Sequence, residues 1–302
     1  MKPIDHGRLL PHELFFGLFL LVTWMRLGWA AGFLGRDALL YLALIAANVW
    51  AIWLCQSNGT AARWRLGLLF YPLAMNVVFF QMKTAIPKIH PERMDAWLEQ
   101  IDQLGIGTNL SLRLQPLVHP ALTEFFSACY LLFFPYMLFS MIYYFCGGVE
   151  LLKKFVIGLF TIYGIGFLGY SLVPAAGPGL AMTGQFTVPL TGWWITKWNA
   201  AVVAGGSNGV DVFPSLHCAI SCFLLFFDRR HRPWRFRLYL VPAAGLWLST
   251  IYLRYHYFID VLCGFALAAF ALWLARRYPR NPACGLASPA TPTTPTADSA
   301  TK

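Results

Sequence analysis

Apolar stretches of close to twenty residues recur along most of this chain, and nothing constrains its fold more. The hydrocarbon core of a bilayer takes about 20 residues of helix to cross, and a helix satisfies its own backbone polar groups there. Charged residues make up only 12% of the 302 positions, against 58% hydrophobic; a soluble domain carries about 25% charge. The expected fold class is all-α: a polytopic membrane bundle of about eight transmembrane helices with interfacial helices. Spans are expected at residues 13–34, 37–55, 66–85, 123–145, 155–173, 213–227, 238–253 and 258–274. The first apolar run is too long for a removed signal peptide.

Two connections are too polar to span. Residues 86–122 alternate polar residues with Leu, Ile and Trp between prolines, as pieces lying on a membrane surface do. Residues 174–211 open on a Pro/Gly turn and carry Trp193, Trp194 and Trp198, which suit the head-group layer. The expected division is residues 1–101 for the N-terminal helices and the start of the outer connection, and 102–280 for a catalytic core. Residues 281–302, rich in Ala, Pro, Thr and Ser, are expected to form a disordered cytoplasmic tail.

The formal charge of +10 does not point to nucleic acid, because Lys and Arg flank the apolar spans and accompany no nucleic-acid-binding motif. Their distribution sets orientation instead. With both termini inside, the inner segments hold the larger share of Lys and Arg, including Arg229, Arg230, Arg232, Arg235 and Arg237. This suits a bacterial inner-membrane protein with both termini cytoplasmic. The seven cysteines show no paired spacing and read as small buried hydrophobes. No metal and no other cofactor is expected.

His217, His256 and Asp260 carry the chemistry. His217 follows Pro214, Ser215 and Leu216, where a loop should open a helix. His256 and Asp260 are four apart and share a helix face. A carboxylate beside an imidazole fixes its tautomer and supports its positive charge, and a second His can give or take a proton. By the orientation above, His217, His256 and the Pro174 turn all lie at the outer, extracytoplasmic level of the membrane. That pattern suits phosphoryl transfer with a His nucleophile.

Pro214-Ser215-Leu216-His217-Cys218-Ala219 and Tyr252-x-x-x-His256-Tyr257-x-x-Asp260-Val261-x-x-Gly264 resemble the second and third motifs of the type 2 phosphatidic acid phosphatase superfamily. Tyr170-x-x-x-Pro174-Ala175-Ala176-Gly177-Pro178 resembles what the inositol phosphorylceramide synthase-like branch carries in place of the first motif. Asp102-x-x-Gly105 and Pro120-x-x-Thr123-Glu124-Phe125-x-x-x-Cys129-Tyr130 are similar to connecting segments of that branch. The resemblance implies that His256 becomes a phosphohistidine, that Asp260 aligns it, and that His217 protonates the leaving alkoxide and later activates the acceptor. It implies a lipid phosphate or phospholipid substrate, with water or a lipid hydroxyl as acceptor. A third reading is a silent lipid-binding or lipid-transport protein.

Phosphate oxygens also need donors. Ser215, the amides at Leu216 and Gly177, and Arg254 are the expected phosphate-binding groups. Tyr170, Pro174, Tyr252 and Asp211 are the expected substrate-binding ones. The superfamily's Lys and Arg of the first motif are missing, Thr250 stands where the third motif has Arg, and Leu216 replaces a Gly. Arg254 reads either as the replacement cation or as a snorkelling interface residue, with Lys83, Lys88 and Arg26 as weaker sources. Asp211 binds a polar acceptor or caps the following helix.

Overall fold

The computed structural model describes residues 9–57 and 60–278, and among them the regular elements are all helical. The expected tail at 281–302 and the chain's first residues lie outside the described ones. Among the described residues, six segments are long and apolar enough to cross a bilayer. They are α1 (Pro11–Ala31), α2 (Arg36–Gln56), α3 (Ala61–Ile89), the consecutive α6 (Pro120–Leu131) and α7 (Phe133–Cys146), α8 (Val149–Leu172), and α13 (Phe258–Arg277). Short helices α4 (Asp95–Ile106), α5 (Leu110–Arg113), α9 (Pro178–Ala181) and α10 (Trp194–Gly206) occupy the two connections expected not to span.

Two more helices complete the expected bundle of about eight. α11 (Leu216–His231) has only 16 residues and ends on Asp228, Arg229, Arg230 and His231. α12 (Pro233–Tyr252) carries Arg235 and Arg237 in its first turns. Both therefore fall short by length or charge, yet α11 packs against α8, α12 and α13. The central post is α8: 78% of its apolar stretch is buried, against 33–39% for the other five. A Cβ at Gly166 would stand 2.3 Å from Leu216 Cδ2, so the bare glycine lets the start of α11 seat against α8. Small residues at such crossings allow the close approach on which helix packing in lipid depends.

At 29 residues, α3 is about 43 Å long, more than a bilayer core of about 30 Å requires. It runs past the expected span end at residue 85, with Lys83 and Lys88 on its last turns. Lys88 Nζ pairs with the buried Asp37 carboxylate at 2.5 Å.

The bundle's basic end is locked by a buried charge cluster. Asp228 pairs with Arg235 Nε at 3.0 Å, both side chains fully buried. The hydroxyls of Tyr136 and Tyr144 donate to the same carboxylate, and Arg235 also donates to Ser140. Tyr143 and Phe139 stack on the guanidinium at 4.7 and 4.9 Å. Four elements, α7, α11, α12 and the turn between the last two, meet there.

Candidate active site

The other end of the bundle assembles the histidines. Ser215 caps α11 with its Oγ, accepting from the Cys218 amide at 3.4 Å, and its own amide donates to the Asp260 carbonyl at 3.0 Å. The starts of α11 and α13 are thus stitched together. Gly264 is the residue that permits it, since a Cβ there would stand 2.6 Å from the Ser215 carbonyl oxygen.

His217, one residue into α11, lies in an aromatic nest. Its Nε2 meets the Tyr130 hydroxyl at 3.0 Å, and the rings of Tyr130 and Phe133 sit 4.8 and 5.0 Å away. The His256 ring is 5.9 Å from it, inclined at 60°.

His256 reaches the site through a tight turn after α12. Arg254 takes a left-handed conformation, φ 66°, and the amides of Tyr255 and His256 both donate to the Thr250 carbonyl, at 2.9 and 3.0 Å. α13 begins at Phe258, so His256 stands two residues ahead of the helix instead of on its face. The pairing inferred from the spacing still forms. Asp260 Oδ2 lies 3.5 Å from His256 Nδ1 while accepting the Tyr257 amide at 2.8 Å.

That separation exceeds the roughly 2.7–2.9 Å of a charge-assisted hydrogen bond. His256 Nδ1, Asp260 Oδ1 and His217 Nδ1 are all buried without a hydrogen-bond partner. Buried polar atoms are normally satisfied, and catalytic contacts often tighten only around a substrate. All three atoms lie in the cluster formed by His217, His256 and Asp260.

Both histidines open on a cavity of about 910 Å³. Leu190, Ala200 and Val203 form one wall, and Lys83, Arg93 and Asp211 bring charge to another. Of the expected substrate residues, Pro174 and Asp211 line it. Asp211 accepts from the Ser207 hydroxyl at 2.9 Å; it does not cap α11, because Ser215 does. Burial lifts the Asp211 carboxyl above the ordinary carboxylate range, with the Ser207 hydroxyl and His256 acting in the opposite direction.

Several expected residues stand behind the cavity wall. Tyr170 is buried, with its hydroxyl at the Leu216 amide. The Tyr252 hydroxyl accepts from the His119 amide and bonds Thr123. Leu216 packs on α8, and Ser215 is wholly buried at its cap. The Gly177 amide donates to Asp95 Oδ1 at 2.9 Å, so it is not open to a phosphate.

Arg254 lines the cavity, but its guanidinium is committed elsewhere. Nη2 donates to the Val188 carbonyl at 2.5 Å, and Phe186 stacks on it at 4.0 Å. Burial also lowers its pKa from the usual arginine value. Arg26 bonds the Ser171 carbonyl at 2.8 Å, and Lys88 is spent on Asp37. Thus three of the four expected cations have protein partners, and Lys83 is the exception.

Sequence reasoning missed the part played by α4. Asp95 accepts from the Ala176 and Gly177 amides at about 3 Å and from the Tyr257 hydroxyl at 3.1 Å. Asp102 accepts from the Phe258 and Ile259 amides at 2.7 and 2.9 Å, capping α13 where negative charge is favoured. Met94 adds its amide to the Pro174 carbonyl at 2.8 Å. One short helix therefore holds the Pro174 turn and the His256–Asp260 segment in register. Glu124, which carried no assigned role, caps α10 by accepting from Trp193, Ile195 and Thr196. The Tyr130 contact to His217 was also unassigned. The motif segments containing Asp102, Glu124 and Tyr130 were the available signal, while Asp95 had none.

Among the described residues the six cysteines are free, and no three His, Cys, Asp or Glu side chains group as metal ligands.

No solved structure matches the chain. A protein of Bacteroides thetaiotaomicron named phosphoinositol dihydroceramide synthase is 30% identical over 160 residues, covering 47% of this chain and 51% of the relative. The chain thus spans about half the length of that relative. A family model described as the PAP2 superfamily matches residues 96–274, more than half of the chain and including His217, His256 and Asp260; the chain belongs to the PAP2 superfamily.

Proposed function

We propose that this chain is an integral membrane lipid phosphatase or phosphotransferase that works through a phosphohistidine at His256. The carrying observation is the pair of imidazoles on one cavity, 5.9 Å apart, with a buried carboxylate beside only one of them. Asp260 faces Nδ1 from 3.5 Å and so leaves Nε2 of His256 as the nucleophile. As the P–N bond forms, the bond from phosphorus to the lipid oxygen breaks, and His217 supplies a proton to that oxygen. In the second half His217 takes the proton from an incoming hydroxyl, which attacks phosphorus and releases His256. The scheme calls on protein groups alone for nucleophile, acid and base.

The reading puts the site at the extracytoplasmic face of a bacterial inner membrane with both termini inside, because the basic Asp228 end of the bundle is the opposite one. It takes residues 102–280 as the catalytic core.

Transfer of a phospho-headgroup onto a lipid hydroxyl is the second form of the same reaction. Two observations favour it: the name carried by the Bacteroides relative, and a cavity whose α10 wall is apolar enough to accept a second lipid. Purified protein in mixed micelles, supplied with phosphatidic acid, a prenyl diphosphate or phosphatidylinositol, with and without ceramide, tests both. Free phosphate that disappears in His256→Ala identifies a phosphatase. A new phospholipid that needs the added alcohol identifies a transferase. Product formation that survives His256→Ala would sink the phosphohistidine scheme.

A further inference from the structure

We infer that Lys83 and Arg93 are the cations that hold the phosphoryl oxygens in this site, so that the segment preceding the family-matched residues completes the active centre. The inference rests on the phosphotransfer reading above. A transferring phosphoryl group spreads negative charge over three oxygens, and neutralising that charge supplies most of the catalysis. The site's other obvious donors are occupied. Arg254 is bound to Val188 and Phe186, and the Ala176 and Gly177 amides are taken by Asp95. Ser215 caps Cys218.

Lys83 and Arg93 differ on each count. Both are exposed, and both line the cavity that holds His217 and His256. Among the described residues neither has a hydrogen-bond or ion-pair partner. Their setting is nonetheless built. Lys83 sits on the final turns of α3, and Asn208 ties the facing loop to that helix by donating to the Phe79 carbonyl at 3.1 Å. The guanidinium of Arg93 lies over Gly209 of this loop, Nη2 being 3.6 Å from where a Cβ would stand. Asp211, two residues on, is occupied by Ser207 and leaves both cations available. Lys83 and Arg93 precede residue 96, where the family match begins. A division of the chain near residue 101 would therefore cut through the site.

In the reaction the two cations hold non-bridging oxygens while the P–O bond to the alkoxide breaks and the P–N bond to His256 forms. They exchange no proton. The ligand is thus a phosphomonoester or phosphodiester group itself, whatever headgroup or tail accompanies it.

The test compares Lys83→Gln, Arg93→Gln and the double variant with wild type in mixed micelles with phosphatidic acid, using Arg113→Gln as a charge control outside the cavity. The double variant should lose at least about 100-fold in kcat/KM, and inhibition by inorganic phosphate should weaken in parallel. Its thermal midpoint should not move, and Lys83→Arg should keep most of the activity. Turnover that depends on His256 but survives the double substitution overturns the assignment alone. So does phosphate inhibition that the double variant leaves unchanged. Turnover indifferent to His256 overturns the functional reading instead. Should wild type turn over no donor, orthovanadate binding by calorimetry decides: binding lost in the double variant supports the assignment, equal binding overturns it, and binding by neither overturns both.

Discussion

Asp228 and Asp260 are both fully buried carboxylates at opposite ends of one bundle, and the protein treats them in opposite ways. Asp228 receives an arginine and two tyrosine hydroxyls, so its charge is matched and its lone pairs are used. Asp260 receives one backbone amide, keeps Oδ1 empty and stands 3.5 Å from the imidazole it should orient. Under the phosphohistidine reading, the saturated carboxylate holds helices together and the one left short of partners serves the chemistry. Burial alone would not separate them.

Substituting the two aspartates breaks the comparison most directly. Asp260→Asn should lower kcat by about 10³- to 10⁴-fold, the scale seen when a triad carboxylate is neutralised, with little change in the unfolding midpoint. Asp228→Asn should cost about 3–5 kcal/mol of stability, because Arg235 is left buried without its counter-charge, while the folded fraction keeps its specific activity. Kinetics and thermal unfolding in the same detergent measure both. Matching behaviour of the two variants would end the distinction.

Gly264→Ala probes the contact that brings the active end together. An exposed helical Gly→Ala usually stabilises by about 1 kcal/mol. Here the added methyl meets the Ser215 carbonyl, and overpacking should destabilise by about 1–3 kcal/mol and slow turnover. A stabilised variant would mean that the helix starts move apart freely.

Tyr130→Phe sharpens the picture of His217. Losing one hydroxyl at Nε2 should cost about 1 kcal/mol of hydrogen bonding, read as roughly a fivefold fall in kcat/KM with the ring packing kept. A fall as large as that for Asp260→Asn would move Tyr130 into the proton-transfer machinery.

The smallest effect concerns Asp211. Its pKa is raised in the folded protein, so the native state binds that proton more tightly than the unfolded chain does. Stability then falls as pH rises from the ordinary carboxylate value through the raised one. Asp211→Asn should flatten this slope in part, Asp102 being shifted the same way by burial. Unfolding midpoints across that window check it, and an unaltered slope would exclude a role for Asp211 in it.

The spans and the pairing of Asp260 with His256 were legible because their signals are local. Apolar run length marks the spans, the Pro214-Ser215 pair marks the start of α11, and the four-residue spacing brings Asp260 to His256. The supporting contacts were not, because they join distant segments through backbone amides. Asp102 reaches amides 156 and 157 residues away, and Asp95 reaches ones 81 and 82 away; neither leaves a periodic trace. Arg254 lines the cavity, but its Nη2 also has a partner that proximity in sequence does not show. Proximity to His256 in sequence suggested a shared target, but the left-handed turn at Arg254 itself sends the guanidinium to Val188.

The bare α-carbon at Gly264 also carries a kinetic consequence. The Ser215 carbonyl packs against the backbone of α13 and the Ser215 amide bonds the Asp260 carbonyl, so the starts of α11 and α13 are held in contact. Under the phosphohistidine scheme there is then a single seat beside His217. The departing alcohol must vacate it before the next hydroxyl sits down. Two substrates taking turns in one seat give ping-pong behaviour, with parallel double-reciprocal lines, whichever hydroxyl finally carries the phosphoryl group away.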